Sequence, residues 1–187
     1  TYTSNGVICS GNPEEFTITV NPSAQVNGLA NYNTILCDSE FTPVYSFSTT
    51  NTDGLTTFNW TNNNVAIGLA PSGEGGIPSF QVTNSTQSTI SATITVTPSY
   101  ENNGIICDGN AETFIITVNP SPEMNNVDDI VLCNNEISSI IEFTTPNTDG
   151  NTTYSWTNDN TSIGLSSVGN GDIPVSYTHL RAHETLE

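Results

Sequence analysis

The sequence predicts an all-β protein made of tandem β-sandwich modules. Three observations carry the prediction: a β-branched and aromatic composition, short runs of strict apolar alternation, and a long internal repeat. Val, Ile, Thr, Phe, Tyr and Trp are frequent and patterned, so the acidic balance does not read as a disordered tail. No stretch has the 3.6-residue period of a helix.

The repeat fixes the organisation. "NGVICSGNPEEFTITVNP", ending at Pro22, returns as "NGIICDGNAETFIITVNP", ending at Pro120, with an offset of 98 from Gly6 to Gly104. "TILC" ending at Cys37 answers "IVLC" ending at Cys133 at an offset of 96, and "NTDGLTTFNWTNNNVAIGL" answers "NTDGNTTYSWTNDNTSIGL". The offset changes between Pro22 and Thr34, where a linker absorbs an indel. A period near 97 suits one sandwich domain and is too long for a solenoid turn. With boundaries at the "VNP" signature, residues 22–120 form one complete module. Residues 1–21 are then the C-terminal end of a preceding module, and residues 121–174 the N-terminal half of a following one.

Within the complete module the strands follow from alternation. "ISATITVTP" places Ile90, Ala92, Ile94 and Val96 on one face, "TFNWTN" turns Phe58 and Trp60 inward, "VYSFS" pairs Tyr45 with Phe47, and "FIITV" aligns Phe114, Ile116 and Val118. Asn103-Gly104, Asp108-Gly109 and Asp53-Gly54 supply turns, because these residues accept positive φ. About seven short strands with a Trp on the third is an immunoglobulin-like pattern.

The order of "ILC", "TFNWTNNNVAIGL", "GEGGIPSF", "ATITVTP" and "ICDGNAETFIITVNP" resembles the PKD-like modules repeated in giant secreted adhesins and surface proteins of gliding, type IX-secreting bacteria. The resemblance covers residues 1–174. It implies a stalk or adhesive segment at the cell surface, exported across the outer membrane, with neighbouring modules as partners and surface glycans or other cells as further contacts. It implies no catalytic residue.

Charge narrows the partners. Residues 1–174 contain 17 of the 19 acidic residues and no Lys, Arg or His, so nothing replaces the counterions of a phosphate backbone, and nucleic-acid binding is not expected. No apolar run is long enough to span a bilayer, so no membrane insertion is expected. The lack of Lys and His removes the usual nucleophile activators, and no two acids stand out as a glycosidase pair, so an enzyme is not expected.

Four cysteines without CxxC spacing or a nearby His point to an oxidising compartment rather than to a metal. Pairing Cys37 with Cys107 lets each module close itself and leaves Cys9 and Cys133 without partners in this chain. The rival scheme, Cys9 with Cys37 and Cys107 with Cys133, staples neighbouring modules. Glu123, Asp128 and Asp129 near a module boundary are weak calcium candidates. The other linker, "SAQVNGLANYN", has no acid, and solvated surface or turn acids, Asp53 and Asp149 among them, are the simpler reading. No other cofactor is implied.

Trp60 and Trp156 hold the same place in both copies and read as buried sandwich tryptophans rather than sugar platforms. The alternative function, a carbohydrate-binding accessory module beside a secreted hydrolase, rests on Tyr32 and Tyr100. The sequons at Asn59, Asn84, Asn151 and Asn160 follow from abundant Asn and Thr.

The repeat breaks after Pro174. "VSYTHLRAHETLE" replaces the expected strand, holds His179, Arg181 and His183, and resembles a translated sequencing adapter. Residues 175–187 are set aside as a non-native tail, and the natural chain is expected to continue with the missing strands.

Overall fold

The protein is described here from a computed structural model, in which residues 1–175 are described. The segment that the sequence sets aside, with His179, Arg181 and His183, lies outside the described residues except for Val175. Strands dominate, and the only helices among the described residues are three short 3-10 turns at Leu29–Tyr32, Val65–Ile67 and Thr161–Ile163. The chain is all-β.

Ten strands form in chain order: β1 Tyr2–Ser4, β2 Val7–Cys9, β3 Thr34–Cys37, β4 Leu55–Asn62, β5 Ser72–Glu74, β6 Ile90–Asn102, β7 Ile105–Asp108, β8 Glu112–Asn119, β9 Ser155–Thr157 and β10 Val168–Asn170. A six-stranded sheet runs β3-β8-β6-β4-β5, with β7 paired to the far end of β6. The centre is β6, which pairs antiparallel with β4 from Ile94 to Glu101, with β8 from Ile90 to Val96, and with β7 from Ser99 to Asn102. The outer strand β3 runs parallel to β8, with Leu36 opposite Val118.

Alternation places the core as expected. Ala92, Ile94 and Val96 of β6 and Phe114, Ile116 and Val118 of β8 are buried on one face, with Trp60 of β4. Among the described residues every buried hydrophobic lies between Ala24 and Val118. Fully burying a Val, Ile or Phe side chain contributes about 1.5–3 kcal/mol, so these two strands supply much of the drive to fold.

The opposite layer departs from a regular sandwich. Ala24, Leu29, Tyr45, Ile77 and Val82 cover the sheet, but their segments touch through isolated bridges, Asn27 to Ser48, Phe41 to Gln81 and Tyr45 to Ile77. The strand expected at "VYSFS" contributes its inward Tyr45 without a continuous ladder. Pro43 and Pro78 flank the Tyr45–Ile77 bridge and have no N–H to donate to one.

Two turns differ in cause. Asn103 and Gly104 both take positive φ (53° and 75°), as do Asn5 (49°) and Gly6 (78°) in the β1–β2 hairpin, so the repeat copies the turn. Gly109 does not take positive φ, contrary to the reading of Asp108-Gly109 as that kind of turn. A Cβ on Gly109 would sit 2.0 Å from the Ala24 carbonyl oxygen, so the glycine is required by close packing of the incoming chain.

After Pro120 the pattern repeats in outline. β9 and β10 pair with Trp156 opposite Gly169, as Trp60 stands opposite Gly73, and Ile141 bridges Ile173 as Tyr45 bridges Ile77. Yet no described residue beyond Pro120 is buried.

Candidate functional site at the inter-segment joint

The "NTDG" motif organises the approach to the joint. Asn51 Oδ1 accepts from the Gln25 N–H (2.9 Å), and its Nδ2 donates to the Ser23 carbonyl (3.0 Å), while Thr49 Oγ1 donates to Asn51 Oδ1 (2.8 Å). Asn147 repeats this with the Glu123 N–H (2.8 Å), the Ser121 carbonyl (3.0 Å) and Thr145 Oγ1 (2.9 Å). One Asn thus pins the first and third residues after each "NP", because its amide offers an acceptor and donors in a single plane. At the first boundary, Asn21 Nδ2 donates to the Asn102 backbone carbonyl and Asn102 Nδ2 donates back to Asn21 Oδ1, both at 3.1 Å.

At the second boundary the two segments meet directly. The Thr148 N–H donates to the Gln87 carbonyl (2.9 Å), the Thr89 N–H to Asp149 Oδ2 (2.9 Å), and Gln87 Nε2 to Glu123 Oε2 (3.0 Å). Asp38, just past β3, accepts from the Asn84 N–H (2.7 Å) and from Ser121 Oγ (3.0 Å). These donors, the Asn84 N–H first and Ser121 next, hold its carboxyl below the usual carboxylate range. Apart from the Thr148–Gln87 backbone bond, the joint is therefore built from hydrogen bonds to carboxylates rather than from ion pairs, as a body without Lys or Arg requires.

The predicted site residues fare differently. Asp149, read as a solvated turn acid, instead caps Thr89 across the joint. Glu123 is engaged by Gln87, while Asp128 and Asp129 line an apolar groove in the following segment, so the three calcium candidates are not brought into one cluster. Among the described residues no group of three metal-binding side chains forms.

The Cys37–Cys107 pairing is corrected by strand register. Cys37 lies opposite Asn119, near the Ile90 end of β6, and Cys107 lies opposite Tyr100, ten residues farther along that strand. Ten residues of strand span about 33 Å, whereas a disulfide needs Cα atoms within about 7 Å. The two thiols sit at opposite ends of one body, where no local shift joins them. The rival scheme also lacks support. Cys107 stands at the end where the chain enters, Cys133 follows the end where it leaves, and no disulfide links any of the four cysteines.

Tyr100 is buried and donates to the Thr52 carbonyl (2.7 Å), and Tyr32 packs on Tyr45, Phe47 and Phe114, so neither presents a face to a sugar. Trp60 is buried against Gly73, where a Cβ would stand 2.3 Å from the indole. The joint bonds escaped sequence reading because they run between residues 36 to 83 apart, as from Gln87 to Glu123 and from Ser121 to Asp38. The recurrence of "NTDG" and "VNP" was their one signal. No family model and no curated protein matches the chain.

Proposed function

We propose that this chain is a segment of a tandem structural repeat, of the PKD-like kind, in a large extracellular or cell-surface protein where it serves as stalk or adhesive surface. The observation that carries the reading is the repeated clamp, Asn51 on residues 23–25 and Asn147 on residues 121–123, together with the Thr89–Asp149 and Gln87–Glu123 bonds. Such a joint fixes the direction of each module relative to the last, which a load-bearing rod needs and a catalytic domain does not. The acidic surface suits it, since self-repulsion keeps long arrays apart and soluble.

The alternative, a carbohydrate-binding module beside a secreted hydrolase, loses its two aromatic candidates to packing. The natural gene separates the two readings. The array reading expects further copies at a period near 97 on either side, each with the "NTDG" Asn and the "VNP" boundary. A single copy joined to a hydrolase domain would sink it.

A further inference from the structure

We infer that residues 14–20 of one copy of this chain dock as a strand in the apolar groove formed by residues 127–173 of a second copy, linking chains head to tail. The groove is lined by Leu132, Ile141, Ile163, Leu165 and Ile173, among others. Each stands 96 residues after a member of, or neighbour to, the packed core, namely Leu36, Tyr45, Ile67, Leu69 and Ile77. In residues 22–120 those side chains share one core with Phe114, Ile116 and Val118 of β8, which are 1%, 0% and 0% exposed, with Tyr45 stacked near Phe114 and Leu36 opposite Val118. The groove is thus a seat whose shape has already been met, filled, elsewhere in the same molecule.

The occupant has also been met. Phe16, Ile18 and Val20 repeat the β8 triad 98 residues earlier, and they are 84%, 76% and 85% exposed. Residues 14–20 form no ladder among the described residues, so their backbone groups are open to pairing. The register follows from the parallel β3–β8 pair. Ile116 opposite Thr34 becomes Ile18 opposite Ile130, and Val118 opposite Leu36 becomes Val20 opposite Leu132. Ile130, Val131 and Leu132 are 47%, 94% and 37% exposed.

This is strand addition to a sheet edge, with side-chain pockets setting the register. Donor and seat are different surfaces, so the contact is heterologous and adds copies head to tail. The side of the seat that Ala92, Ile94 and Val96 fill in residues 22–120 stays open, which makes the contact weaker than its intramolecular counterpart. Both partners are acidic, so salt strengthens it by screening their repulsion. The array reading fills the same seat with a β8-like strand of its own module, so the inference concerns the 187-residue chain, and its failure leaves that reading to the gene.

Sedimentation velocity of the whole chain, from low micromolar to about 100 μM, reads the outcome. The sedimentation coefficient should rise with concentration, and more steeply at higher salt. Ile18→Asp, at an exposed site whose change cannot unfold the core, should weaken association at least tenfold. Leu165→Asp should do the same from the groove side. An equimolar mixture of the two variants keeps one intact donor and one intact seat, and should stop at a 1:1 dimer. If Leu165→Asp disrupts its own segment, a peptide of residues 5–21 should still block wild-type association. A wild type that stays monomeric throughout overturns the inference. So does an Ile18→Asp variant that associates as well as wild type, because another surface then holds the copies together.

Discussion

Residues 14–21 and 112–119 carry almost the same sequence, and only the second is a strand. In β8, Phe114, Ile116 and Val118 are sealed between β3 and β6, whereas Phe16, Ile18 and Val20 stand exposed. The same contrast separates Ile67, Leu69 and Ile77, all buried, from Ile163, Leu165 and Ile173, none of which is. Alternation confers a capacity for strand, but neighbouring strands decide whether it is used.

Local polar structure shows no such dependence. Asn62 Nδ2 donates to the Leu69 carbonyl and Asn158 Nδ2 to the Leu165 carbonyl, both at 3.0 Å. Asn64 caps Ala66 and Asn160 caps Ser162, at 3.2 and 3.1 Å. The Cys37 N–H reaches Glu40, and the Cys133 N–H reaches Glu136. Bonds spanning two to seven residues form in both copies, because their partners arrive together along the chain. Burial differs, because its partners lie dozens of residues away.

The largest expected effect sharpens the strand comparison. Ile116→Ala should cost residues 22–120 about 2–5 kcal/mol of unfolding free energy, while Ile18→Ala, measured in dilute solution, should change it by less than about 0.5 kcal/mol. Urea unfolding of the two variants checks this. Equal losses would mean that residues 14–20 are already packed within a single copy.

A smaller effect compares the two tryptophan sites. A Cβ at Gly73 would meet the Trp60 indole at 2.3 Å, and one at Gly169 would meet the Trp156 indole at 2.1 Å. Trp60 is held in the core and cannot yield, so Gly73→Ala should cost about 1–3 kcal/mol. Trp156 is not fully buried and can swing outward, so Gly169→Ala should leave the main unfolding transition of the chain in place. Tryptophan fluorescence during urea unfolding follows both, and a shifted main transition in Gly169→Ala would show that the second site is as confined as the first.

Sequence reading went furthest where the period is short and the partner near. The inward residues of β4, β6 and β8, the Asn103-Gly104 turn and the pairing of Trp60 with Trp156 as equivalent positions all followed from pattern. It failed on the cysteines, because even spacing within a repeat says nothing about which end of a sheet each residue reaches. Parallel β3 and the long β6 put Cys37 and Cys107 at opposite ends, a matter of topology that composition does not encode. It also missed Asp149 as a joint residue, since an acid in an Asp-Gly turn looks the same whether it meets water or a backbone N–H.

The smallest expected effect tests the joint through Asp38. Its counterpart 96 residues later is Asn134, so one copy carries a titrating group where the other does not. Hydrogen bonds from Asn84 and Ser121 lower the Asp38 pKa in the folded protein. A lowered folded value means that the ionised form contributes stability fully above the unfolded carboxylate value, near 3.9, and that this contribution is lost as pH falls through the lower folded value. Asp38→Asn keeps an oxygen to accept from the Asn84 N–H, turns an NH2 toward the Ser121 hydroxyl, which can accept from it, and cannot titrate. Hydrogen exchange at the Asn84 N–H, compared between pH 5 and pH 3, should therefore show an acid-dependent loss of protection in the wild type beyond that in Asp38→Asn. The other acids titrate in both proteins, so the difference between the two profiles isolates Asp38. Identical acid losses would assign the weakening to carboxylates elsewhere and leave the Asp38–Ser121 contact without a pH-dependent part in holding the joint.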